Sequence, residues 1–257
     1  MLSFRSKSLV AAFGALALGA TDVQAQFYRS GEQTTGVCAG GYTVCDLNWT
    51  VQWFGLSGGF TNGGAHEAAI ITNPPSGGGA AGPWAPNIPG VQQWIGAANG
   101  ATLPVNTGNG VSNYRYFFQT TFEQLVSGVV DFGIGWDNQL VGAWVGGAIQ
   151  GDGTFSGGTS LLPGVGIGSP YQSGKSGFCR ADGVFPEAQH PNCVLNLSLF
   201  VNAGENAVLT FAIEGDGTTD GLLVGSSYST VPEPSTYALM IAGLAAMGVV
   251  ARRRRRA

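Results

Sequence analysis

Three stretches in the second half of the chain alternate apolar and polar residues with a period of two. Phe132, Ile134 and Trp136 interleave with Asp131, Gly133 and Gly135. Leu195, Leu197, Leu199 and Val201 interleave with Asn196, Ser198 and Asn202, and Phe200 interrupts the polar side. Leu209, Phe211 and Ile213 stand opposite Val208, Thr210 and Ala212. Successive side chains of a strand point to opposite faces, so this spacing predicts strands with one buried face. Asp137-Asn138, Gly151-Asp152-Gly153, Asn202-Ala203-Gly204 and Gly215-Asp216-Gly217 supply turns around them. No segment between the two ends carries a sustained 3.6-residue stripe, so the pattern predicts an all-β domain.

Both ends depart from this pattern. Arg5 and Lys7 precede an uncharged stretch from Leu9 to Ala20, and Val23-Gln24-Ala25 follows. That order predicts a secretory signal over residues 1–25, removed by signal peptidase to leave Gln26 first. At the other end, Pro232-Glu233-Pro234 precedes sixteen uncharged residues, Thr236 to Ala251, and then Arg252, Arg253, Arg254, Arg255 and Arg256. As a helix that run rises about 24 Å, a short transmembrane span once the arginines snorkel. The arginine cluster orients it with the basic end in the cytoplasm. Residues 26–230 are then one extracytoplasmic domain, long enough for a substantial core.

Charge and composition narrow the function. Only 10% of residues are charged and 43 are glycine, which excludes a coiled coil or a highly charged disordered chain. Between the two ends, Arg29, Arg115, Lys175 and Arg180 face thirteen of the fifteen acids, since Asp22 and Glu233 lie in the end segments, giving a net charge of −9. Such a domain repels nucleic acid and anionic lipid. The two histidines, His66 and His190, exclude a three-histidine metal site.

Few constellations carry chemistry. Cys38, Cys45, Cys179 and Cys193 make an even set in an exported chain, which predicts structural disulfides, with three connectivities open and local pairing the simplest. Gly55-Leu56-Ser57-Gly58-Gly59 matches G-x-S-x-G, and His190 follows it in hydrolase order. A nucleophile elbow, however, needs a strand feeding a helix, and Phe60-Thr61-Asn62-Gly63-Gly64 starts no helix. No catalysis is therefore expected. Glu214, Asp216 and Asp220 offer oxygen ligands for calcium, although Gly-Asp-Gly is also hairpin chemistry, and no cofactor is otherwise implied. Of six tryptophans, Trp84 and Trp94 fall in a Pro/Gly-rich loop and are the candidates for stacking on sugar rings; the others are expected in the core.

Pro232-Glu233-Pro234, the apolar run and the arginine cluster resemble the PEP-CTERM sorting signal, over residues 231–257. The resemblance implies processing by exosortase, an intramembrane transpeptidase-like enzyme, in the envelope of a Gram-negative bacterium, with a membrane-anchored precursor delivered to the cell surface or matrix. Such systems accompany exopolysaccharide. Tyr116-Phe117-Phe118-Gln119-Thr120-Thr121-Phe122, Gly135-Trp136-Asp137-Asn138, Gly204-Glu205-Asn206-Ala207-Val208-Leu209-Thr210-Phe211 and Gly221-Leu222-Leu223-Val224 are similar, in order, to the jelly-roll, galactose-binding-like ectodomain common among PEP-CTERM proteins. The expectation is a single β-sandwich with a structural, exopolysaccharide-associated role. A carbohydrate-binding module is the alternative, and a secreted hydrolase would need a Ser57–His190 contact.

Overall fold

A computed structural model describes residues 27–38, 43–56, 60–71, 87, 89–90, 93–98, 113–123, 127–137, 139–171, 195–202, 204–215, 217 and 220–230. Among them are thirteen strands and no helix. In chain order they are β1 (Thr34–Thr35), β2 (Cys45–Gly55), β3 (Thr61–Ile70), β4 (Ile95–Gly96), β5 (Tyr114–Glu123), β6 (Gly128–Trp136) and β7 (Gln139–Val145). There follow β8 (Ala148–Ile149), β9 (Phe155–Ser156), β10 (Thr159–Ser160), β11 (Leu195–Val201), β12 (Asn206–Gly215) and β13 (Leu222–Thr230). The predicted all-β class is therefore what the chain forms.

Among the described residues every pairing is antiparallel. The main path runs β10-β7-β12-β5-β2-β3-β4-β13-β6-β11, with β1 beside β2. β5 and β6 are consecutive in sequence yet far apart along this path, and both feed one core cluster. The sheet therefore folds over at the two-residue strand β4 and packs on itself as a sandwich. Phe27 sits between the layers, edge-on to Trp49 of β2 (6.2 Å) and Phe122 of β5 (5.2 Å), and 4.9 Å from Phe132 of β6. Such ring pairs bury large apolar area with defined geometry.

The period-two expectation holds on the inner face. Phe132, Ile134, Trp136, Leu209, Phe211 and Ile213 are all buried in the core cluster, and Phe200 is exposed. On β12 the outer face is buried too: Thr210 and Ala212 are fully covered. The cover of Ala212 is the β8–β9 hairpin, whose Ile149 and Phe155 pack on a second cluster of Phe54, Phe117, Val141 and Ala212, while Thr210 accepts a hydrogen bond from Gln119. Strand alternation cannot reveal a hairpin that folds back from elsewhere in the chain. Gly153 at the hairpin turn has φ +76° and lies against the Phe54 ring, a place for glycine alone.

The segment at residues 28–31 straps the layers together. Ser30 exchanges backbone and side-chain hydrogen bonds with Val224 of β13, and its hydroxyl donates to the Gln93 carbonyl at 2.8 Å. Gln93 returns two bonds, from its backbone N–H to Ser30 and from Nε2 to the Gly31 carbonyl, both 2.7 Å.

Candidate functional site

The outer face of the β2-β5-β12 layer changes character along its length. Residues of one parity point outward: Phe54, Gln52 and Thr50 from β2, and Arg115, Phe117, Gln119 and Thr121 from β5. The β8–β9 hairpin crosses this face over Phe54 and Phe117 and leaves a depression on each side.

On the first side, Arg115 and Glu214 form a buried ion pair at 2.7 Å from Nη2 to Oε1, with Nε donating to the same oxygen at 2.9 Å. Nη1 donates to the Gly153 carbonyl, so the pair also fastens the tip of the hairpin. Around it is a cavity of about 200 Å³ lined by Phe117, Trp144, Thr154 and Phe155. The Trp144 and Phe155 rings stack at 4.4 Å, and the indole also lies over the bare Cα of Gly142. Those contacts make Trp144 a packing residue.

On the second side is a wider groove of about 610 Å³. Asn48, Thr50, Gln52, Gln119 and Thr121 line it, and the stretch from Gly147 to Ile149 forms its far wall. Among the described residues no charged side chain lines it. Gln119 Nε2 donates to Thr210 Oγ1 at 3.0 Å, and Gln52 Nε2 donates to Asn62 Oδ1 at 3.2 Å. Each bond uses one N–H, so both side chains retain a carbonyl oxygen as acceptor and a second N–H as donor.

The sequence candidates fall elsewhere. Trp94 is fully buried immediately before β4, its backbone N–H held by Asn87 Oδ1 at 2.8 Å. It has no open ring face, so the sugar-stacking expectation for this residue gives way to a core role. Glu214 is committed to Arg115, while Asp220 accepts from the Tyr116 hydroxyl at 2.7 Å and the Gly217 N–H at 2.8 Å. These two carboxylates thus serve internal contacts, and no group of three metal-ligating side chains occurs among the described residues. Cys38 and Cys45 are joined as a disulfide. His66 lies in β3, with Nδ1 2.8 Å from the Glu67 carbonyl oxygen. Trp84, Asp216, Cys179, Cys193, Ser57, His190, the expected signal over residues 1–25 and the segment from Pro232 to Arg256 lie outside the described residues.

Asp46 is a buried group that strand patterning does not single out. Its Oδ1 accepts from the Asn48 and Trp49 backbone N–H groups at 2.7 and 3.1 Å, and its Oδ2 accepts from Gly31. Burial pushes its pKa up to about 6, against the downward pull of those three N–H donors. Asp two residues before Asn48 is a local turn signal of the Asx kind, which was available in the sequence.

The comparisons with known proteins bear on the ends and the fold separately. Residues 230–256 match the PEP-CTERM protein-sorting motif. The chain therefore carries the sorting signal of an exported surface protein, the kind handed to exosortase. No curated protein matches the chain. Among solved structures it is similar to the A domain of Epithelial Adhesin 6 from Candida glabrata, determined in complex with Galb1-3GlcNAc. Identity is 12%, coverage is 77% of this chain and 85% of that one, and the TM-score is 0.33. Among the described residues no helix is long and apolar enough to cross a membrane.

Proposed function

We propose that this chain is the precursor of a cell-surface or matrix protein that exosortase processes, and that its β-sandwich is a structural, non-catalytic module. The match of residues 230–256 to the sorting motif carries this reading. Signal peptidase removes residues 1–25, the run from Thr236 to Ala251 holds the precursor in the inner membrane of a Gram-negative host, and Pro232-Glu233-Pro234 presents the processing site. The ectodomain, residues 26–230, then joins the exopolysaccharide-rich surface. Expression in paired hosts with and without exosortase tests this. The account expects mature protein at the surface or in the medium of the first and a full-length inner-membrane form in the second. Identical fractionation in both hosts would refute it.

Carbohydrate binding is the second reading, and the groove beside β2 and β5 is the observation that favours it. Among the described residues its lining is uncharged and sets amides and hydroxyls beside Leu47, Ile149 and Val208, which suits a polyhydroxylated ligand.

A further inference from the structure

The polar groove beside the β8–β9 hairpin has a chemistry that selects among polysaccharides. Along the outward positions of β5, apolar Phe117 gives way to Gln119 and Thr121; along β2, Phe54 gives way to Gln52 and Thr50. A surface meant only to carry the hairpin has no need of this change, because the hairpin's apolar contacts end at Phe117 and Ile149.

The hydrogen-bond inventory is mixed and uncharged. Gln52 and Gln119 each use one of their two Nε2 N–H donors within the protein, on Asn62 and Thr210. Asn48 Nδ2 is turned to Gln33 Oε1 at 3.5 Å. Three amide carbonyl oxygens and one N–H of each amide therefore remain, with the Thr50 and Thr121 hydroxyls between them. Such a mixed lining suits hydroxyl groups, which both donate and accept, and with no cationic side chain among its described residues it offers no counter-charge to carboxylates or sulfates. The net charge of −9 over the ectodomain acts in the same direction at longer range. The groove spans β2, β5 and β12, about 10 Å at the usual strand spacing, the width of a short saccharide run.

We infer that this groove binds a short segment of a neutral, hydroxyl-rich polysaccharide and rejects acidic ones. The inference deepens the carbohydrate-binding reading and rests on it.

The test uses the full chain in mild detergent. The probes are the neutral and acidic fractions of exopolysaccharide from an exosortase-bearing host, separated by anion exchange and cast into affinity gels. The neutral fraction should retard the protein and the acidic fraction should not. The double substitution Gln52→Leu with Gln119→Leu should weaken retardation at least tenfold. Ala148→Trp, which fills the groove from the hairpin side without altering a residue of the sheet, should do the same and guards against misfolding of the double variant. If the neutral fraction binds but both variants bind like wild type, the groove is wrong while carbohydrate binding stands. Preference for the acidic fraction overturns the neutral assignment. If neither fraction binds, the carbohydrate reading falls and the groove with it.

Discussion

Thr230, the last residue of β13, pairs with Gly128, the first residue of β6. Thr230 is also the first residue of the sorting motif, so an interior strand of the sandwich runs into the signal with only Val231 before Pro232. A processing enzyme must therefore work against the folded domain. Inserting Gly-Gly-Ser-Gly after Thr230 should leave folding intact and speed processing severalfold, because a flexible linker adds roughly 10 Å of reach. Pulse-chase in an exosortase-bearing host reads the rate, and a slower rate would contradict this arrangement.

The Arg115–Glu214 pair joins β5, β12 and the turn at Gly153. Arg115→Met leaves the Glu214 carboxylate buried and uncompensated, and should cost about 3–5 kcal/mol in denaturant unfolding. Adding Glu214→Leu should recover most of that loss, since an apolar pair needs no partner. A single-variant cost below about 1 kcal/mol would show that water or another group solvates Glu214.

Asp46 makes stability depend on pH in an unusual direction. Its carboxyl titrates near 3.8 when unfolded and at about 6 when folded, so the folded state holds the extra proton between those values. Its stabilising contribution is complete below pH 3.8 and is lost as pH rises through about 6. The shift corresponds to about 3 kcal/mol at 1.36 kcal/mol per unit. In Asp46→Asn, Oδ1 still accepts from Asn48 and Trp49, while the titration is gone. The wild-type melting temperature should therefore fall relative to the variant between pH 4 and 7. Parallel curves would refute the assignment.

The Cys38–Cys45 disulfide closes a loop with a sequence separation of seven. Chain entropy assigns such a loop roughly 2.5 kcal/mol. Cys38→Ser with Cys45→Ser should lower stability by about that much. Wild-type Cys38 and Cys45 should resist alkylation until reduced, as peptide mapping will show; labelling before reduction would contradict the bridge.

Strand alternation made the inner face of the sandwich legible, because Leu209, Phe211 and Ile213 answer only to local periodicity. The first disulfide was legible as the simplest pairing of nearby cysteines. The groove was not, since Gln52, Gln119 and Thr121 come from separate strands and Ala148 from a hairpin folded over them. Trp94 misled for a related reason: its Pro/Gly-rich neighbourhood marks a loop, and only tertiary packing shows that the loop enters the core. The acidic run at Glu214, Asp216 and Asp220 pointed to calcium by spacing alone. Arg115 and Tyr116, about a hundred residues earlier, take up two of those carboxylates.

The C-terminal mass of the mature protein is the most direct measurement of the central claim. A plain anchor needs only an apolar run and a basic stop, whereas a processing signal needs an extended segment, which a Pro-Glu-Pro sequence favours because proline fixes φ. Mature protein from an exosortase-bearing host should lack Arg252 to Arg256. Replacing Pro232-Glu233-Pro234 with alanines should leave membrane insertion intact and restore those arginines to the isolated protein. Wild-type protein that retains Arg252 to Arg256 in a host with active exosortase would contradict the account.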